Sequence, residues 1–195
     1  MINQLIQLDQ HWFSTINQGL ANPVFDVLMP ILRNRLTWVP LYLVATYFAI
    51  KKFGRVGGFM LLFGILCFAL ADYTSATILK PWLARLRPCN TPGLSVRTLV
   101  DCGTGFSFPS SHASNHFALA VFFVVLFGRH FKGAIAGPLL WAFSIAFAQV
   151  YVGVHFPIDV ISGAGIGTLI GLLMGYIFKH FFQLNYGNLE GNSTI

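Results

Sequence analysis

Residues 155–178 read HFPIDVISGAGIGTLIGLLMGYIF. After Asp159 no charged residue follows until Lys179, and Gly163, Gly167, Gly171 and Gly175 recur at every fourth position. At 1.5 Å rise per residue the apolar run 156–178 is about 35 Å long, enough to cross a hydrocarbon core. Glycines four apart share one side of a helix and make a smooth stripe that admits a neighbouring backbone. We expect this stripe to pack inside the monomer rather than to form a dimer seam, giving a monomer or at most a weak homodimer.

Four more apolar stretches precede it, at 36–50, 56–79, 109–128 and 133–154. Three of them would run about 30–36 Å as helices, whereas 36–50 reaches only about 23 Å. That shorter one is expected to borrow length from Val24–Leu32 through an entry made irregular by Pro30, Arg33 and Arg35, as a half-span or re-entrant turn. Only 9% of the residues are charged, against about 25% in soluble domains. The fold expected is therefore all-α: a polytopic membrane helical bundle of five full spans in one domain, 1–195.

Residues 1–32 contain no Lys or Arg, so no cleavable signal peptide is expected. Leu5, Leu8, Trp12, Ile16 and Leu20 recur at steps of three and four, with Asn3, Gln7, Asp9, Gln10 and Asn17 as polar surface elsewhere. This is the pattern of a helix lying in the headgroup layer. The segment 184–195 reads as a polar tail without ordered structure.

The formal charge of +6 does not indicate nucleic acid, because the cations sit at segment ends. Lys51, Lys52 and Arg55, then Arg129 and Lys132, then Lys179 mark one side, which the positive-inside rule makes cytoplasmic. The 80–108 loop and the turn near 153–157 then face outward. That outer loop also holds Lys80, Arg85, Arg87 and Arg97, against the rule, which suggests they have a task there. Cys89 and Cys102 lie in the same loop, where oxidising conditions favour a disulfide over two free thiols. Cys67, mid-span, reads as a small core residue.

Three clusters stand at the outer ends of the apolar runs. Lys80 and Arg87 are two helical turns apart if the helix continues to Pro88, and together suit an anion. Pro109-Ser110-Ser111-His112 opens a span whose free N–H groups also favour an anion, and His112 is placed to protonate a leaving oxygen. In His155-x3-Asp159 the carboxylate can hold one imidazole nitrogen and aim the other. That makes His155 a nucleophile or base, and an ionisable group at this depth is a functional candidate. Singly, each cluster also reads as interfacial anchors or a helix cap.

His112-x3-His116 with His155 and Asp159 would also make a zinc set, but Lys80, Arg85 and Arg87 would repel the ion. We therefore expect neither metal nor cofactor, with His116 as a core or supporting residue. Asp72 reads as a partner for Lys80 or as a polar contact between helices.

In this order the clusters resemble the type-2 phosphatidic acid phosphatase superfamily, whose pattern is Lys-x6-Arg-Pro, Pro-Ser-Gly-His and Ser-Arg-x5-His-x3-Asp. KPWLARLRP at 80–88 matches the first. PSSH at 109–112 has Ser111 for Gly, and AQVYVGVHFPID at 148–159 has Ala148 and Gln149 for Ser-Arg. The resemblance implies a lipid phosphatase of the bacterial inner membrane working at its outer face, on polyprenyl diphosphates, phosphatidic acid, phosphatidylglycerophosphate or lipid A phosphates. It implies His155 as nucleophile, oriented by Asp159, with His112 as acid and then base. Lys80, Arg87, Ser110 and Ser111 would hold the phosphate, with Gln149 a neutral donor where the pattern has a cation. Arg85 is the candidate to make up for that cation, although two residues from Arg87 it would point elsewhere on a regular helix. Transfer of the phosphate to another lipid, or lipid-phosphate binding without catalysis, are the alternatives.

Overall fold

A computed structural model of the protein describes residues 2–129 and 133–182; Lys132 and the tail at 184–195 lie outside the described residues. Among these the chain is helical and has no strand. The helices are α1 (Ile2–Ser14), α2 (Pro23–Arg33), α3 (Val39–Asp72), α4 (Lys80–Leu83), α5 (Ser111–Phe127), α6 (Ala136–Tyr151) and α7 (Pro157–Phe181). Wider π-helical turns extend α1 through Thr15–Gly19 and α3 through Tyr73–Leu79.

The glycine stripe decides the packing. A Cβ on Gly163 would lie 2.4 Å from the carbonyl oxygen of Ser110, and one on Gly167 would lie 2.1 Å from that of Ser114. α7 thus rests directly on the backbone of α5. Lipid tails are as apolar as leucine, so burial against them gains little, and close packing with hydrogen bonds must hold such helices together. Phe122 and Leu126 of α5 then meet Phe178 of α7 and Met60, Cys67 and Ala71 of α3 in one core cluster.

Many large apolar side chains lie on the outside. Leu43 is 65% exposed, Ile65 67%, Leu140 66% and Leu169 69%, a surface that water does not favour. The run containing α3 and the helix α7 are long and apolar enough to cross a membrane, while α5 and α6 are apolar but shorter.

Two expectations from the sequence need correction. First, α2 does not lend its length to α3: Asn34 is extended (φ −72°, ψ 120°) and ends α2, whereas Pro30 sits inside that helix. The turn expected between the runs 36–50 and 56–79 is present, where Gly54 (φ 53°, ψ −123°) breaks α3 into two arms. A Cβ on Gly57 would lie 2.0 Å from the carbonyl oxygen of Ala49, so the chain turns back on itself between the runs 36–50 and 56–79. Second, the polar residues of α1 are not all at its surface. Asp9 is 1% exposed and Asn17 fully buried, whereas Leu5, Leu8 and Trp12 are exposed. The apolar stripe faces out and part of the polar face is turned into the protein, as suits a helix whose outer medium is not water.

Candidate active site

The helix carrying Lys80 does not continue to Arg87. α4 stops at Leu83 because Ala84 adopts a left-handed conformation (φ 46°, ψ 32°), which a non-glycine residue takes up only at a cost. The chain is not helical from there to Arg87, so Lys80 and Arg87 do not lie along one helix. The same turn redirects Arg85. One terminal nitrogen of Arg85 donates to Asp159 Oδ1 (2.6 Å), and the other to Asp9 Oδ2 (2.6 Å). Its guanidinium also covers the Phe156 ring at 4.1 Å.

Asp159 is fully buried. Besides the Arg85 bond, its Oδ2 accepts from the backbone N–H of Phe156 (2.8 Å) and from Ser107 Oγ. The same oxygen lies 3.5 Å from His155 Nδ1, which is 3.4 Å from Ser107 Oγ. Nδ1 therefore points at the carboxylate, leaving Nε2 as the nitrogen available for chemistry. His155 itself lies in the turn between α6 and α7. Burial, opposed by Asp159, lowers its pKa from 6.5 to about 4, which keeps the imidazole neutral at neutral pH.

Around this pair the cations are tied by the loop that precedes α5. Lys80 Nζ donates to the carbonyls of Phe106 (2.9 Å) and Ser107 (3.0 Å). Arg87 Nε donates to Gly105 O (2.9 Å) and a terminal nitrogen to Val154 O (3.4 Å). The charges of both act on His155, and that of Arg87 also on His112. The disulfide Cys89–Cys102 braces the same loop.

Ser110 caps α5, its Oγ accepting from Ala113 N at 3.4 Å, and its own N–H donates to the carbonyl of Asp159 (2.9 Å). This bond ties the start of α5 to the first turn of α7, so His112 and His155 come within electrostatic range of each other. Ser111 Oγ is buried without a hydrogen-bond partner among the described residues, as are Nε2 and Oε1 of the fully buried Gln149. His116 is a core residue: its Nδ1 faces the carbonyl of His112 (2.8 Å) and its ring meets Trp141. Asp72 accepts from Asn115 Nδ2 (2.9 Å), a contact between helices.

Residues 58–183 match the family model described as the PAP2 superfamily. The chain is a PAP2 protein. Over 183 residues it is 33% identical to lipid A 4'-phosphatase of Bacteroides thetaiotaomicron, covering 91% of this chain and 80% of that one. It is 27% identical over 173 residues to lipid A 4'-phosphatase of Porphyromonas gingivalis, covering 86% and 71%. The crystal structure of a transmembrane PAP2-type phosphatidylglycerolphosphate phosphatase from Bacillus subtilis shares the fold, with a TM-score of 0.70 at 23% identity over 94% of this chain and 90% of that one.

Sequence reasoning about this PAP2 protein missed three residues of the site. Arg85 was read as a cation of the 80–108 loop pointing away from Arg87 on a regular helix, and its direction depends on the turn at Ala84. Asp9 was assigned to the surface of a headgroup helix, yet it holds Arg85 and accepts from Ile158 N at 2.9 Å. Ser107 precedes the Pro109-Ser110-Ser111-His112 cluster and carries no signal of its own. Arg97 proves structural, since it clasps both oxygens of Asp26 (2.9 and 2.7 Å).

Proposed function

We propose that this PAP2 protein hydrolyses a membrane lipid phosphate through a phosphohistidine on His155, and that its substrate is a 4'-phosphorylated lipid A. The observation that carries the reading is the imidazole of His155, with Nδ1 facing Asp159 (3.5 Å) and the charges of Lys80 and Arg87 acting on it. The two lipid A 4'-phosphatases among its relatives support the choice of substrate.

In the first step the Nε2 lone pair of His155 attacks phosphorus and the bond to the sugar oxygen breaks. His112 gives its proton to that oxygen, releasing the dephosphorylated lipid. Asp159 stabilises the imidazolium character that develops on His155. Lys80, Arg87, Ser110 and Ser111 hold the equatorial oxygens where charge accumulates, and Nε2 of Gln149 donates a neutral hydrogen bond. In the second step His112 takes a proton from water, the water oxygen bonds to phosphorus, and the P–N bond breaks to give inorganic phosphate.

In the membrane we place five spans: the two arms of α3, then α5, α6 and α7, with α1 in the headgroup layer. The site then opens on the periplasmic side of a bacterial inner membrane, where the lipid headgroup is in reach.

Purified protein in detergent is expected to release inorganic phosphate from bis-phosphorylated lipid A in excess EDTA, leaving the 1-phosphate in place by mass spectrometry. Loss of the 1-phosphate instead would contradict the substrate assignment. Activity that disappears with the metal would contradict the mechanism, in which the cations are all protein side chains.

The neutral imidazole also sets a pH dependence. Between pH 6.5 and about 4 the unfolded chain binds a proton at His155 that the folded chain does not. Stability is therefore lost as pH falls through this window. The nucleophile, in contrast, stays deprotonated through most of it. The acid limb of kcat/KM is expected to have its midpoint nearer 4 than 6.5 in initial-rate measurements; a midpoint at the ordinary imidazole value would show that burial does not govern His155.

A further inference from the structure

Arg33 closes α2 and belongs to none of the three clusters. Its position is well fixed. The carbonyl of Ile31 accepts from Asn34 N (3.1 Å) and Thr37 Oγ1 (2.8 Å), and that of Leu32 from Trp38 Nε1 (2.8 Å). Met29 and Leu32 pack among Ala148, Tyr151 and Val152 at the end of α6, with Cys89, Leu99 and Val100 of the braced loop. Arg33 therefore stands where the segment bearing Gln149 meets the loop bearing Arg87. Electrostatically it is felt by both Arg87 and His112.

What sets Arg33 apart from the other cations near the site is its lack of a partner. Arg85 holds two carboxylates, Arg97 holds Asp26, and Lys80 and Arg87 hold carbonyls. No side-chain hydrogen bond or ion pair joins Arg33 to any described residue, and its Nε is buried without a partner. Asp101 lies in electrostatic range but is exposed and forms no ion pair with it. A half-buried guanidinium near a second one and near an imidazole is unfavourable unless an anion comes between them. The reaction brings such an anion to His112 and Arg87.

We propose that Arg33 donates to a non-bridging oxygen of the phosphate undergoing transfer, and so supplies the cation that position 149 lacks. This rests on the lipid phosphatase reading of the same site. The guanidinium reaches from α2, a different element from the one that bears Gln149, so no motif spacing reveals it. A second phosphate on the same lipid offers identical chemistry, but the charge of Arg33 acts on both Arg87 and His112, which favours the transferred group.

The test is binding of inorganic phosphate, a single phosphate group, followed by ³¹P NMR titration of the full chain carrying His155→Ala, so that no turnover is required. Adding Arg33→Gln or Arg33→Met is expected to weaken binding roughly 10- to 100-fold, the scale of a hydrogen bond to a charged group. Arg33→Lys should keep part of the affinity, and Gln149→Arg in the Arg33→Gln background should recover part of it. A folded Arg33→Gln or Arg33→Met protein that binds phosphate as tightly as its parent overturns the proposal, as does a parent that binds none. Absence of hydrolysis by the unaltered enzyme would instead count against the phosphatase reading, so the two failures are separable.

Discussion

His155→Ala is expected to lower phosphate release by roughly four orders of magnitude or more, the usual consequence of removing a covalent nucleophile. The protein should remain folded. The backbone N–H of His155 donates to the carbonyl of Gln149 (3.2 Å) whatever the side chain. Asp159 keeps its bonds to Arg85, Ser107 and the N–H of Phe156, so its charge stays compensated. Loss of activity with an unchanged thermal midpoint would separate chemistry from folding. A variant that retained a tenth of the rate would mean that another group attacks phosphorus.

Gly167→Val is expected to be the most damaging single change to the fold, costing about 3 kcal/mol or more. A Cβ there would sit 2.1 Å from the carbonyl oxygen of Ser114 and 2.9 Å from the amide nitrogen of Ala118. Both contacts are backbone, and no rotamer change relieves them. The helices must separate, and the separation reaches the site, because the Ser110 N–H bond to the Asp159 carbonyl joins the same two helices one end away. Thermal unfolding in detergent should show a large drop in midpoint together with lost activity. Gly165→Ala is the control: nothing lies within 4 Å of its Cβ, so that change should be neutral or slightly stabilising. Equal effects from the two variants would remove the stripe from the account.

What the sequence made legible follows from how each feature is encoded. The glycine spacing and the His155-x3-Asp159 spacing are local, and helix periodicity converts both directly into faces and pairs. The grouping of the 80–108 loop with the turn near 153–157 could be read from the distribution of Lys and Arg, and the bonds from Arg87 to Val154 O and from Leu99 N to Val152 O join the two. Arg85 could not be placed, because one left-handed residue at Ala84 turns it from solvent toward Asp159, and alanine gives no sign of that conformation. Asp9 and Asn17 were read as surface because amphipathicity shows that a helix has two faces and not which one meets the protein. Next to lipid the usual assignment reverses. The break at Gly54 fell within a charged turn between two apolar runs, and only φ reveals how sharply the chain folds back. Arg33 depends on contacts between α2 and α6 distant in sequence, which no local pattern records.

The central claim is that phosphorus becomes bonded to His155 during turnover. Rapid alkaline quenching of the enzyme with its lipid phosphate, followed by mass spectrometry of the peptides containing His155 and His112, measures this directly. One added phosphoryl group on the His155 imidazole, absent from His155→Ala, is the expected result. Full turnover with no phosphorylated histidine at any quench time, or a phosphoryl group on His112 instead, would contradict it.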